Sequence, residues 1–213
     1  MDRKNRPVSC LSFQEEYGRY DARFIGGDSK RIYLTFDEGY EAGYTGRILD
    51  ILKEKECPAV FFVTQPYVDE HPELIRRMIG EGHAVGNHTV NHPSLPGVSL
   101  QEAREEICGL HESVRAGFGY EMTLFRPPRG EWSERTLALT QQLGYSTVFW
   151  SFAYEDWETD DQPPPDEALE RTVEALHPGA IYLLHAVSST NTEILGGFID
   201  EARQRGYTFA LLQ

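Results

Sequence analysis

Cysteine is scarce in this chain. Cys10, Cys57 and Cys108 are its only three among 213 residues. They form no CxxC pair, which argues against a disulfide framework or a cysteine-bound zinc. Long apolar runs are absent too, and no stretch approaches the length of a membrane span. The first ten residues, MDRKNRPVSC, lack the apolar segment of a signal peptide. They read as the start of a cytoplasmic protein or of a chain already trimmed of an export segment. Positive charge is in short supply: 20 Lys and Arg stand against 34 Asp and Glu, for a net charge of -14. A nucleic-acid binder would show a basic field, so that class is disfavoured. No internal repeat or low-complexity tract interrupts the chain.

What remains is ordinary globular composition, 40% hydrophobic and 25% charged. A chain of this length buries a large core without staples. Residues 1–30 show weak periodicity and a Gly26-Gly27-Asp28 turn, and read as an N-terminal extension packed on a domain of residues 31–213. Strand-like runs rich in Val, Ile, Phe and Tyr are expected at 31–36, 59–63, 83–87, 124–126, 146–150, 180–185 and 207–211. Helical spacing fills the intervals, as in GRILDILKEK and ELIRRMIGEG. Ser99 with Glu102 three residues on is a capping-box signature. Gly144 and Gly206 read as helix stops. Alternating strands and helices argue for a parallel sheet covered by helices. About seven strands suggest an α/β barrel or near-barrel, with an open doubly wound sheet as the alternative.

The unusual polar residues fall at the strand ends. Asp37-Glu38 follows the first strand, His88 and His92 the third, RPPRG (126–130) the fourth and WSFAYEDW (150–157) the fifth; His185 closes the sixth. C-terminal strand ends of a parallel sheet converge on one face, where active sites form. Each cluster alone has a bland reading. Asp37-Glu38 could be a solvated turn; the functional reading makes one acid a general base and the other a metal ligand, because a dication would relieve their repulsion. His88 and His92 could be surface residues, but two histidines and a carboxylate make a common open catalytic metal set. Arg126 and Arg129 could flank a rigid turn, or orient carboxylates. Asp156-Trp157 could be a cap and a core ring, or a face for a sugar. His185 could be a satisfied core residue, yet it is the histidine free to act as general acid.

In this order the motifs resemble the polysaccharide deacetylases of carbohydrate esterase family 4, the NodB-homology group. The residues that carry the resemblance are Thr35-Phe36-Asp37-Glu38-Gly39, His88-Thr89-Val90-Asn91-His92, Arg126-Pro127-Pro128-Arg129-Gly130, Asp156-Trp157 and Leu183-Leu184-His185. RPPRG, TVFWSFAYEDW and HPGAIYLLHAVS look most like the branch that deacetylates N-acetylmuramic acid in peptidoglycan during δ-lactam formation in spore cortex.

The resemblance implies a distorted, TIM-like (β/α) barrel and removal of N-acetyl groups from a glycan. The alternatives are a deacetylase of chitin, xylan or poly-N-acetylglucosamine, a glycan-binding domain without chemistry, and a glycosidase. It implies Asp37 as catalytic base, and Glu38, His88 and His92 as ligands of a divalent metal, zinc being the expected ion. Arg126 orients the base, Asp156 tunes the general acid His185, and Trp157 and Leu183 shape the acetyl pocket. Two positions depart from the pattern. Glu38 replaces the family's aspartate and is one methylene longer. Arg129 stands where many relatives carry tyrosine, and suits a substrate carboxylate. A monomer acting on peptidoglycan outside the cytoplasm is expected, with no nucleic acid and no transmembrane segment.

Overall fold

The structure is a computed structural model and describes residues 1–212. The chain runs α1 (Val8–Tyr17), β1 (Ala22–Arg23), β2 (Arg31–Glu38), α2 (Thr45–Glu54), β3 (Ala59–Val63), α3 (Gln65–Glu70), α4 (Pro72–Gly80) and β4 (Ala84–Asn87). It continues with α5 (Leu100–Phe118), β5 (Leu124–Phe125), α6 (Glu134–Gln142), β6 (Ser146–Val148), α7 (Pro165–Glu174), β7 (Ile181–His185), α8 (Ser189–Gln204) and β8 (Thr208–Phe209). Every strand pairing is parallel, in the order β1-β6-β5-β4-β3-β2-β7, with β8 added to β2. The sheet curls into a half-barrel covered by helices, which settles the choice against an open doubly wound sheet.

Period-2 alternation divides the side chains. Val60, Phe62, Leu124, Val148 and Ile181 point to the inside of the curl. Ile32, Leu34, Phe36, Phe61 and Val63 point outward, under helices α2, α4, α5 and α8, and join the main core. All seven expected strands are present. The N-terminal region does more than pack on the domain, because Ala22 and Arg23 form β1 and pair with Thr147 and Val148. Beyond β1 the Gly26 amide donates to the Gly179 carbonyl at 2.8 Å. On the other side the amides of Ser151 and Phe152 reach the Ile181 carbonyl at 3.0 and 3.2 Å. These two segments bridge the gap between β6 and β7.

The expected capping box is formed: the Ser99 hydroxyl accepts from the Glu102 amide at 3.2 Å, and the Glu102 carboxylate accepts from the Ser99 amide at 2.8 Å. Glycine is required where the sheet interior is crowded. A Cβ on Gly86 would sit 2.4 Å from the Phe62 ring, which is itself buried beneath the Arg126 guanidinium at 4.3 Å. Gly86→Ala is therefore expected to cost about 1–3 kcal/mol by overpacking. Urea unfolding measures it; an unchanged midpoint would mean that Phe62 is free to give way.

Candidate active site

The C-terminal strand ends open into a cavity of about 580 Å³. Asp37, His88, His92, Arg129, Trp157, Leu183 and His185 line it. Gly39, Gly130 and Trp150, present in the motifs but given no role by the sequence, line it too, with Tyr40 and Val187.

One pole of the site is built on β2 and the end of β5. The Arg126 guanidinium is fully buried, and each of its nitrogens is used. Nη1 donates to Asp37 Oδ1 at 2.7 Å, Nε to the Val148 carbonyl at 3.1 Å and Nη2 to the Phe149 carbonyl at 3.1 Å. Burial disfavours the Asp37 charge, but the adjoining Arg126 guanidinium outweighs it, and the carboxyl sits below its ordinary value. Oδ2 carries no such clamp; it faces His88 Nε2 at 3.6 Å.

His88 hydrogen-bonds the Arg126 carbonyl through Nδ1 at 2.7 Å, so Nδ1 is the donor and Nε2 is free to face the cavity. Burial pulls its pKa down to about 4, leaving it neutral near pH 7. Burial lowers that of His92 as well. The two rings lie 4.8 Å apart. The loop that carries them is held by Asn87, which stands at the strand end beside His88 and to which the sequence assigns no role. Asn87 Oδ1 accepts from the Thr89 amide at 2.9 Å, while Nδ2 donates to the Ile107 carbonyl at 2.8 Å and to Tyr145 at 3.1 Å. Thr89 (φ 71°), His92 (φ 56°) and Arg129 (φ 59°) all adopt the left-handed region that side chains disfavour. Such outliers collect at functional sites.

The second pole is His185. Its Nδ1 bonds Asp156 Oδ1 at 2.7 Å, and its backbone amide donates to Oδ2 at 2.8 Å. Burial opposes a charge on His185, but the hydrogen bond to Asp156 and the charges of Asp156 and Asp37 prevail and raise its pKa. Nε2 is left to face the cavity. The Trp157 ring stands beside it, 5.6 Å between centroids, and is 43% exposed at the rim.

Glu38 is not brought into this site. The strand continues two residues beyond Phe36, so Glu38 follows the outward parity of Leu34 and Phe36. It is fully buried in the helical layer, and neither carboxylate oxygen has a hydrogen-bond partner. Burial drives its pKa well above the ordinary value, and the charges of Glu41 and Asp37 add to the shift; the Thr45 hydroxyl opposes it without meeting hydrogen-bond geometry. Among the described residues no three His, Cys, Asp or Glu side chains are arranged to hold a metal ion. His88 and His92 offer two neutral imidazoles to the cavity, but the expected third ligand is missing from it. The Glu38-His88-His92 set therefore does not fit a metal as placed.

The comparisons agree with this architecture. The sequence model of the polysaccharide deacetylase family matches residues 25–148, and the chain belongs to that family. The peptidoglycan-N-acetylmuramic acid deacetylase PdaA of Bacillus subtilis is 45% identical over 193 residues, 90% of this chain and 73% of PdaA. The solved structure of Bacillus subtilis PdaA, a family 4 carbohydrate esterase, superposes with a TM-score of 0.89 at 42% identity, covering 95% of this chain and 86% of that one. A family 4 pseudoenzyme from Bacillus anthracis superposes with a TM-score of 0.84 at 28% identity, covering 90% of this chain and 67% of that one. Deacetylases of this family generally depend on a metal. No helix of the described residues is long and apolar enough to cross a membrane.

The placement of Glu38 has a measurable consequence. A carboxyl whose folded pKa is raised holds its proton more tightly in the native state. Its contribution is full below the unfolded value of 4.5 and is lost as pH rises above that. Glu38→Gln keeps the shape without the titration. The variant should exceed the parent in stability near pH 8, with the gap closing toward about pH 4. Urea unfolding at both pH values decides; equal stability at both would show Glu38 charged and compensated.

Proposed function

We propose that the chain hydrolyses the acetamide of N-acetylmuramic acid in peptidoglycan, with Asp37 as general base and His185 as general acid. One observation carries the reading. Asp37 and His185 are register partners across β2 and β7, on the same face, and their surroundings lower the pKa of one and raise that of the other. Divergent environments for two neighbouring titratable groups assign base and acid roles.

Asp37 Oδ1 is occupied by Arg126, so Oδ2 takes the proton of the attacking water. The water oxygen bonds to the acetyl carbon, and a tetrahedral oxyanion forms. Collapse breaks the C–N bond. His185 Nε2 gives its proton to the departing nitrogen, which could not leave as an amide anion. Acetic acid and a free amine result, and the acid passes its remaining proton to the amine or to solvent as acetate leaves; the proton taken by Asp37 balances the one His185 has lost. Leu183 and Trp157 supply apolar walls for the acetyl methyl. The two carboxylates adjacent in sequence serve different ends: Asp37 works in the cavity and Glu38 lies behind the sheet.

The sugar is chosen at the rim. Arg129 lines the cavity and forms no ion pair among the described residues. Its backbone is fixed by Pro127 and Pro128 on one side and by Gly130 on the other, where a Cβ would meet Trp150 at 2.5 Å. A guanidinium there fits the lactyl carboxylate that distinguishes N-acetylmuramic acid from N-acetylglucosamine. Peptidoglycan lies outside the cytoplasm, so export belongs to this proposal.

Acetate release from peptidoglycan glycan strands tests the assignment. Asp37→Asn and His185→Ala should each lower kcat/KM by about 10²- to 10⁴-fold. A rate near that of the parent in Asp37→Asn would end the base assignment. Arg129→Ala should lose about tenfold or more on strands with bared muramic acid and little on N-acetylglucosamine oligomers, a charged hydrogen bond being worth about 1.5–3 kcal/mol. Equal losses on both substrates would remove Arg129 from recognition.

A further inference from the structure

Behind His185 lies a polar cluster that the reaction described above does not use. Asp156 sits on the irregular segment between β6 and α7, which has no strand or helix of its own to fix it. Its position is set from the first turn of α8. Asn191, 2% exposed, donates from Nδ2 to Asp156 Oδ2 at 2.5 Å and to the His185 carbonyl at 3.2 Å. Its Oδ1 accepts from the Tyr154 hydroxyl. Burial and the charge of Asp156 raise the Tyr154 pKa, so the phenol keeps its proton and can only donate along this bond. The amide is thereby oriented: the reverse orientation would set its oxygen against a carboxylate and a carbonyl, three acceptors together.

A second side chain ties the same segment down. Gln162 Nε2 donates to the carbonyls of Asp156 and Glu158, each at 2.8 Å. Gln162 Oε1 accepts from the Ser188 hydroxyl at 2.5 Å and from the Thr190 amide at 3.3 Å. Ser188 in turn accepts from the Asn191 amide at 2.9 Å as the N-cap of α8. The loop carrying Asp156 and the helix following His185 are therefore joined through Asn191 and Gln162. The Asp156 carboxylate accepts from Asn191 Nδ2, His185 Nδ1 and the His185 amide, and its backbone carbonyl accepts from Gln162.

We propose that Asn191 is a positioning residue for the general acid: with its amide oriented by Tyr154, it fixes the Asp156 carboxylate so that His185 Nδ1 is engaged and Nε2 is presented to the leaving nitrogen. This rests on His185 being the acid. Asn191 is not among the residues lining the cavity, so it acts through Asp156 and not on substrate. The charged or titratable groups that face His185 are Asp156 on the loop, Asp37 on β2, Arg126 after β5 and His92 after β4. Of these, Asp156 is the one that Asn191 touches.

Two substitutions that change this contact in opposite ways test it. Asn191→Leu removes the donor at similar volume. The carboxylate is no longer held against His185, so kcat should fall about 10- to 100-fold with KM unchanged. The alkaline limb of the pH–rate profile, which reports the protonated acid, should move to lower pH. Asn191→Asp places a second carboxyl beside Asp156, and the same limb should move to higher pH. A residue that only holds the fold together would move neither limb. NMR titration of the His185 ring in the parent and both variants gives the same information without turnover. It therefore decides the proposal even where no glycan yields acetate, a result that would count against the proposed function alone. Should Asn191→Leu fail to fold, Tyr154→Phe, which frees the amide to reverse, should shift the His185 titration downward. Unmoved His185 titrations in all the folded variants would overturn the role of Asn191.

Discussion

The buried ion pair between Arg126 and Asp37 is the contact on which the rest of the site is arranged. A guanidinium with no solvent access is costly to desolvate, and the arrangement here meets that cost group by group. Two carbonyls from the end of β6 and its extension take two of its nitrogens, Asp37 takes the third, and the Phe62 ring lies under its face. The same residue's backbone ties in β4: its amide donates to the Asn87 carbonyl and its own carbonyl takes His88 Nδ1. One arginine thus fixes the base, the tautomer of a histidine and the junction of four strands. Removing the cation alone would strand a carboxylate in the protein interior, which would then take up a proton and cease to be a base.

The acid follows the same design with the sign reversed. His185 is next to Asp37 across the sheet, and the attraction between them favours the doubly charged state. That state is the reactive one, with a base ready to accept and an acid ready to donate. Activity on this account has a plateau bounded below by protonation of Asp37 and above by deprotonation of His185. The depressed and the raised pKa values push the two limbs apart. The partners of each group differ in kind. Asp37 is fixed by a permanent cation and needs no further support, whereas His185 depends on an aspartate in an irregular loop, which is why a tether of amides has been built around Asp156.

Much of this could be read from the sequence. The seven expected strands, the capping box at Ser99 and the gathering of Asp37, His88, Arg129, Trp157 and His185 around one cavity all rest on strong local signals: period-2 runs, cap chemistry and the rule that parallel strand ends converge. What stayed hidden was set by tertiary context. Strand β1 has two residues, too few for any alternation to show. Helix α3 is one short turn and a half directly after β3, starting on Gln65-Pro66, and its pattern was too brief to stand out. Asn87 and Asn191 look like any other amide in the chain until their partners are known. The left-handed backbone at Thr89 and Arg129 has no signature in residue type, and at His92 only a weak one, histidine being enriched there far less tellingly than glycine.

Glu38 shows how one structural rule outranks a chemical expectation. Adjacent residues on a strand must face opposite sides, so Asp37 and Glu38 can share a cavity only where the strand has already ended. Ending β2 at Phe36 allows a shared site; the observed end at Glu38, where the carbonyl still accepts from the Thr64 amide at 3.3 Å, does not. The two carboxyls consequently enter opposite environments. Asp37 meets a guanidinium and stays charged. Glu38 meets the apolar underside of the helices, with Glu41 nearby, and burial favours its neutral form. Carboxyls one residue apart, which would repel if both were charged in the same cavity, are reconciled because their surroundings favour the anion of one and the neutral form of the other.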